Sequence, residues 1–334
     1  MKSLDWYKAA TRELPYYMSQ HAMHTFSLMN KKFGFPFKDI IFDWNQNVLT
    51  IFRSKKQVES TFITISEMSE EEIIYNLEKT HTLYSKILDL CVGKLDVEKF
   101  SQIHKILIDC WQYHVFSIFF SYGSHIKKLK AIQDKNYALF KKVRDIGNFY
   151  KVSAYFRNNI QTKFDPLLMD CGEILAYFND HIEPLDIDKR LKQHYVLLME
   201  DYVLRKAKPN EIDFESLYKQ TKTTNKIIGT TACKGTKTGI ARIVMQQKDL
   251  KKLRAEDILV TTMTSPSFLP YITEAGGIIT DDGGTTSHAS ILSREFNIPC
   301  ITGTKIATNQ IKEGDKLLLD ATQGYVKILN KQNK

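Results

Sequence analysis

The chain has 334 residues, 43% of them hydrophobic, and a formal net charge of +9, which gives room for two domains with a core each. The basic residues are scattered and no basic run is interleaved with stacking aromatics, which disfavours nucleic acid and leaves nucleotide, phosphorylated substrate or an acidic protein as anionic partners. The five cysteines, Cys91, Cys110, Cys171, Cys233 and Cys300, form no CxxC pair, so no zinc site or disulfide framework is indicated and a reducing cytoplasm is the expected compartment. The first residues carry no signal-peptide pattern, and no apolar run approaches the ~18 residues of a membrane span.

Residues 1–218 read as a mostly helical domain. Its exception comes early, at 39–53, where two β-rich runs flank Asn45 to Asn47 and predict a hairpin. Ser69 with Glu72 makes a capping box, followed by Ile73, Leu77, Tyr84 and Leu88 on one stripe. Ile103, Ile106, Leu107 and Cys110 repeat at helical spacing, and the apolar run 115–120 helps fill a helical core. Leu191, Tyr195, Leu198 and Tyr202 give another helical stripe. His21, His24, His104 and His114 read as ordinary half-buried or surface residues, with an acceptor pocket as the alternative.

Composition breaks near residue 225. Five of the 15 glycines precede residue 226 and ten follow it, whereas only Phe268, Tyr271, Phe296 and Tyr325 among the aromatics lie after it. The polar stretch 219–226 reads as a linker between two architectures. In 227–330, candidate strands at 239–245, 258–262, 277–280, 316–320 and 325–329 alternate with turns and with helical pieces at 267–275 and 288–296. This predicts a compact α/β domain. The fold class is therefore multidomain, mostly α-helical at the N-terminus and α/β at the C-terminus.

The informative stretch is TDDGGTTSHASILSREFNIPCITG, 280–303. A buried strand runs into Asp281 and Asp282, and Gly283 and Gly284 permit a tight turn and close backbone approach. Thr285, Thr286 and Ser287 supply hydroxyls and a helix N-cap. His288 then falls in the first helical turn, where unpaired N–H groups and the positive end of the helix favour an anion. A neutral imidazole nitrogen is a competent nucleophile toward phosphorus, and the product needs donors around its oxygens. The plain alternative is a helix start that contains a His. Thr264 and Ser265 line the site or shape the turn before Pro266. Asp281 and Asp282 read as solvated turn carboxylates, with a metal held by a nucleotide as the alternative. Arg294, six residues past His288, falls on another helical face and reads as a structural ion-pair partner.

GGTTSHASILSRE closely resembles the phosphohistidine signature of the phosphoenolpyruvate-utilising enzymes, a family that includes phosphoenolpyruvate synthase, pyruvate phosphate dikinase, sugar-phosphotransferase-system enzyme I and rifampicin phosphotransferase. GTTACKGTKTG at 229–239, MTSP at 263–266, NIPCITG at 297–303 and DATQGYV at 320–326 continue the resemblance in order. It implies a swivelling domain in which His288 carries the phosphoryl group and Gly283, Gly284, Thr285, Thr286 and Ser287 cradle it. No Walker-type glycine loop or barrel-like βα series is found before residue 226. The resemblance then implies a separate ATP-grasp partner that uses ATP and Mg2+, a small-molecule acceptor presented by the helical domain, and no metal bound by the chain itself. The alternative is a phosphohistidine relay or docking protein with no small-molecule substrate of its own.

Overall fold

The structure is a computed structural model that describes residues 6–13, 16–45, 48–144, 146, 149–184, 187, 194–208, 211–212, 226–245, 247–265, 268–284 and 287–330. Two compact units emerge, one built on Leu14–Pro209 and one on Asn210–Lys334. The opening strand, β1 (Trp6–Glu13), groups for the most part with the second unit.

In the first unit α1 (Tyr16–Phe33) leads to the strands β2 (Ile40–Asn45) and β3 (Val48–Ser54). These pair antiparallel from Ile40 opposite Arg53 to Asn45 opposite Val48. Helices α2 (Lys55–Glu67), α3 (Glu70–Leu90), α4 (Val97–Tyr122), α5 (Lys127–Lys135), α6 (Tyr137–Arg144), α7 (Tyr150–Asn159) and α8 (Cys171–Asp180) follow. The capping box at the start of α3 is reciprocal: the Glu72 N–H donates to Ser69 Oγ at 3.1 Å, and the Ser69 N–H donates to Glu72 Oε2 at 2.8 Å. Helix α4 is the core of the unit, with Phe100, Leu107, Phe116 and Phe120 fully buried. Each such side chain contributes about 1.5–3 kcal/mol of burial.

The helical stripe expected from Leu191 to Tyr202 is a correction. The chain there forms β4 (His194–Glu200) and β5 (Val203–Lys206). β4 pairs with β2 and β5 with β4, so that β3, β2, β4 and β5 lie side by side in that order. Asp201 and Tyr202 have φ of +47° and +68°, which is the doubly left-handed turn that joins two-residue hairpins. A helix cannot pass through two such residues.

In the second unit the strands are β6 (Lys226–Ile228), β7 (Thr230–Cys233), β8 (Thr236–Val244), β9 (Ile258–Thr261), β10 (Gly277–Thr280), β11 (Cys300–Thr302), β12 (Lys316–Asp320) and β13 (Tyr325–Asn330). They are ordered β6-β13-β12-β8-β9-β10-β11-β7. β8, β9, β10 and β11 run parallel, and the flanking pairs are antiparallel. Short helices α9 (Leu269–Ile272), α10 (His288–Glu295) and α11 (Ala307–Gln310) connect them. One core cluster holds Leu259, Ile278 and Leu292, and a second holds Ile258, Val260, Ile279 and Leu317. β9 and β10 are thus covered on both faces, which is why they read as unbroken apolar runs. Of the stretch 219–226, only Lys226 lies among the described residues; it opens β6 and sets its Nζ 4.2 Å from the Tyr325 ring centre.

Candidate functional site

The site forms where the parallel strands β9 and β10 end, the position at which open α/β sheets gather polar groups. The N–H groups of Asp281 and Asp282 donate to the carbonyls of Thr261 and Thr262, at 3.1 and 2.8 Å. These bonds tie the two strand ends together just before the glycine turn. Gly283 has φ +109°, and a Cβ there would lie 2.9 Å from Cβ and Oγ of Ser287. Glycine is required at that position by both conformation and space. At Gly284 an added Cβ would meet no described residue within 4 Å, so among the described residues this side of the turn is open.

Ser287 is the N-cap of α10. Its Oγ accepts from the Ser290 N–H at 3.4 Å and stands 2.9 Å from Ser290 Oγ, which donates to the Gly284 carbonyl at 2.6 Å. The hydroxyls of Ser287 and Ser290 thus close the turn onto the helix. Thr285 and Thr286 lie outside the described residues, as do Pro266 and Ser267.

His288 is the first residue of α10 and is half-buried. Its Nδ1 lies 2.9 Å from Thr264 Oγ1. Thr264 is 4% exposed and follows β9, so two strand ends contribute to one contact. The ring is fixed by a hydroxyl that comes from a segment 24 residues away. Ser265 shapes the backbone as well, its carbonyl accepting from the Phe268 N–H at 2.9 Å.

The two acidic residues are a second correction. Asp281 is 1% and Asp282 5% exposed, so neither is a solvated turn carboxylate. Thr304 Oγ1 donates to Asp281 Oδ1 at 2.8 Å, and the Thr308 hydroxyl also donates to Asp281. The Thr308 N–H completes the set at 3.3 Å. Asp281 pins α11 and its approach to the strand ends. Asp282 Oδ1 is 3.5 Å from Lys305 Nζ. Among the described residues no group of three or more His, Cys, Asp or Glu is placed to hold a metal. Arg294 donates to the Ala232 carbonyl at 3.4 Å and so braces α10 against β7. No helix among the described residues is long and apolar enough to cross a membrane.

Comparison with known proteins adds to this geometry. Residues 253–324 match the family profile described as PEP-utilising enzyme, mobile domain. Phosphoenolpyruvate synthase of Pyrococcus furiosus is 44% identical over 98 residues, 29% of this chain and 12% of that protein. Rifampicin phosphotransferase of Streptomyces sviceus is 36% identical over 104 residues, 31% of this chain and 12% of that protein. A protein of Archaeoglobus fulgidus named "Probable phosphoenolpyruvate synthase" is 32% identical over 163 residues, 48% of this chain and 21% of that protein. That match is longer than Asn210–Lys334 and so extends into the first unit. The chain thus spans between about an eighth and a fifth of the length of these relatives. An aconitase X structure from Thermococcus kodakaraensis aligns with 31% of this chain and 98% of its own at 19% identity, with a TM-score of 0.26; a score this low carries no argument. The segment built around His288, residues 253–324, accordingly matches the mobile domain of PEP-utilising enzymes.

Proposed function

We propose that this chain is a phosphotransferase component whose His288 takes up a phosphoryl group and hands it to an acceptor. The observation that carries the reading is the 2.9 Å contact between Thr264 Oγ1 and His288 Nδ1. With the Nδ1 proton donated to the threonine oxygen, the ring lone pair resides on Nε2, which becomes the attacking atom. Nε2 forms the bond to phosphorus while the donor's P–O bond breaks and its oxygen leaves with the electron pair. The product anion stands at the start of α10, beside the open Gly284 turn, where helix N–H groups and the helix dipole favour it. Transfer of this kind rests on positioning and charge stabilisation more than on covalent help from the protein.

The donor in this reading is ATP, bound with Mg2+ by a separate ATP-grasp protein, and the acceptor is a small molecule held by the helical domain. The relatives named as phosphoenolpyruvate synthase and rifampicin phosphotransferase support the phosphotransferase class. The match that extends into the first unit supports a role for that unit in the same reaction.

The test mixes the full chain with an ATP-grasp protein and with phosphate-labelled ATP. An acid-labile label on His288, absent from His288→Ala, is the expected result, followed by release of the label to a small molecule. Label that persists in His288→Ala refutes the carrier. Label that moves only onto another protein refutes the small-molecule acceptor in favour of a relay.

A further inference from the structure

The first unit holds a second constellation of reactive side chains. Tyr17 and His21 stand one turn apart on α1, His104 lies on α4, and Cys171 opens α8. Tyr17 Oη is 2.9 Å from His104 Nδ1, and Cys171 Sγ is 3.3 Å from His104 Nε2. Both ring nitrogens of His104 are therefore engaged, one by a phenol and one by a thiol. The His21 ring packs edge-on beside them, 4.9 Å from the His104 ring centre and 4.8 Å from that of Tyr17. His21 is 8% exposed, and among the described residues it makes ring contacts but no hydrogen bond. Its ring nitrogens are not among the buried polar atoms left without a partner, so they touch solvent and can meet a polar ligand atom.

The surroundings narrow that ligand. Phe100 lies nearly parallel to His104, with an interplanar angle of 20°, and packs against Phe156 and Phe178. These rings form an apolar wall beside His104. At the start of α8 the Asp170 carboxylate accepts from the Glu173 N–H at 2.8 Å. The N–H groups of Cys171 and Gly172 have no partner among the described residues, so two donors stand at the helix end that carries the sulfur. Burial holds His104 below the usual histidine value, and burial together with Asp170 raises the Cys171 thiol. The resting pair is a neutral base beside a protonated nucleophile, the relation of nucleophile to general base.

We infer that Cys171 is the nucleophile of an acyl-transfer site, with His104 as its base and Tyr17 as the residue that positions His104, and that the site takes an apolar acyl group carried as an ester or thioester. His104 Nε2 removes the thiol proton while its Nδ1–H is held by the Tyr17 oxygen. The sulfur bonds to the carbonyl carbon, and the carbonyl electron pair moves onto oxygen at the Cys171 and Gly172 N–H groups. Collapse breaks the bond to the leaving alcohol or thiol, which takes its proton from His104, and a thioester remains on Cys171. Water then attacks with His104 again as base, releasing the carboxylic acid and restoring the thiol. His21 is placed to bond a polar atom of the incoming group.

The experiment treats the full chain with p-nitrophenyl acetate. The expected result is a burst of one equivalent of nitrophenolate with the acetyl group on Cys171 by peptide mass spectrometry. His104→Gln is expected to slow the burst by at least about a hundredfold while keeping a cooperative thermal transition. Tyr17→Phe is expected to remove the nitrogen-NMR signature of the Nδ1–H tautomer of His104. A measurement that needs no substitution is alkylation by iodoacetamide, in which Cys171 is expected to react before the half-buried Cys91 and Cys233. An undiminished burst in Cys171→Ala, wild-type acylation in His104→Gln, or earlier alkylation of Cys91 or Cys233 overturns the inference. Phosphoryl uptake by His288 is a separate readout, so failure here is distinguishable from failure of the carrier reading.

Discussion

Thr264 makes a contact with His288 that no neighbour in sequence can make, its Oγ1 standing 2.9 Å from Nδ1; in the proposed mechanism this leaves Nε2 as the reacting atom. Thr264→Val keeps shape and removes the hydroxyl. A lost hydrogen bond of about 1 kcal/mol predicts phosphoryl uptake slower by a factor of about five to ten, with Thr264→Ser restoring most of it, measured as the rate of acid-labile phosphate incorporation. Gly283 is constrained more severely. At φ +109° with a Cβ contact of 2.9 Å, Gly283→Ala is expected to cost about 1–3 kcal/mol, visible as a lower thermal midpoint together with lost uptake. An unchanged midpoint would mean that the turn tolerates a side chain and that its geometry is not what presents His288.

At the scale of elements, the α10 start and the α1–α4–α8 contacts make different demands. Ser287→Ala removes the N-cap of α10 and is expected to cost about 1 kcal/mol, read by denaturant unfolding. In the first unit, burial pushes His21 down to about 3, with His104 and His24 adding to the effect. A histidine that is hard to protonate when folded binds fewer protons than in the unfolded chain, so its stabilising contribution is complete above the ordinary histidine value. It is lost progressively as pH falls from about 6.5 toward 3. His21→Phe should flatten the fall of stability between pH 6.5 and 4; an unaltered slope would show that other groups govern that range. This scale also shows what the sequence reveals. β10 and β12 are readable as GIIT and KLLLD because each is a short apolar run bounded by turn residues, β10 buried on both faces and β12 with alternate positions buried. β4 was not, because Leu191, Tyr195, Leu198 and Tyr202 satisfy helical spacing, whereas pairing with β2 and the left-handed Asp201–Tyr202 turn are decided by tertiary contact. β6, β7 and β11, three or four residues each, are too short to carry a pattern. His288 and its glycine turn were legible as a local motif. The pairing of His104 with Cys171 across 67 residues and the burial of Asp281 under Thr304 and Thr308 have no local signature.

For the molecule as a whole, the two core clusters described in the second unit lie between Ile227 and Ile328, and the family match lies inside that span. A fragment of residues 226–334 should therefore take up phosphate on its own at close to the full-chain rate, and it should fail to deliver it to a small-molecule acceptor. Delivery by the fragment alone would remove the helical unit from the reaction. One measurement bears on the central claim most directly. The full chain is treated with potassium phosphoramidate, a small phosphoryl donor that needs no partner protein, and the product is read by phosphorus NMR and peptide mapping. One phosphoryl group is expected, on Nε2 of His288 and absent from His288→Ala. A phosphate on Nδ1, on another residue, or none at all would contradict it.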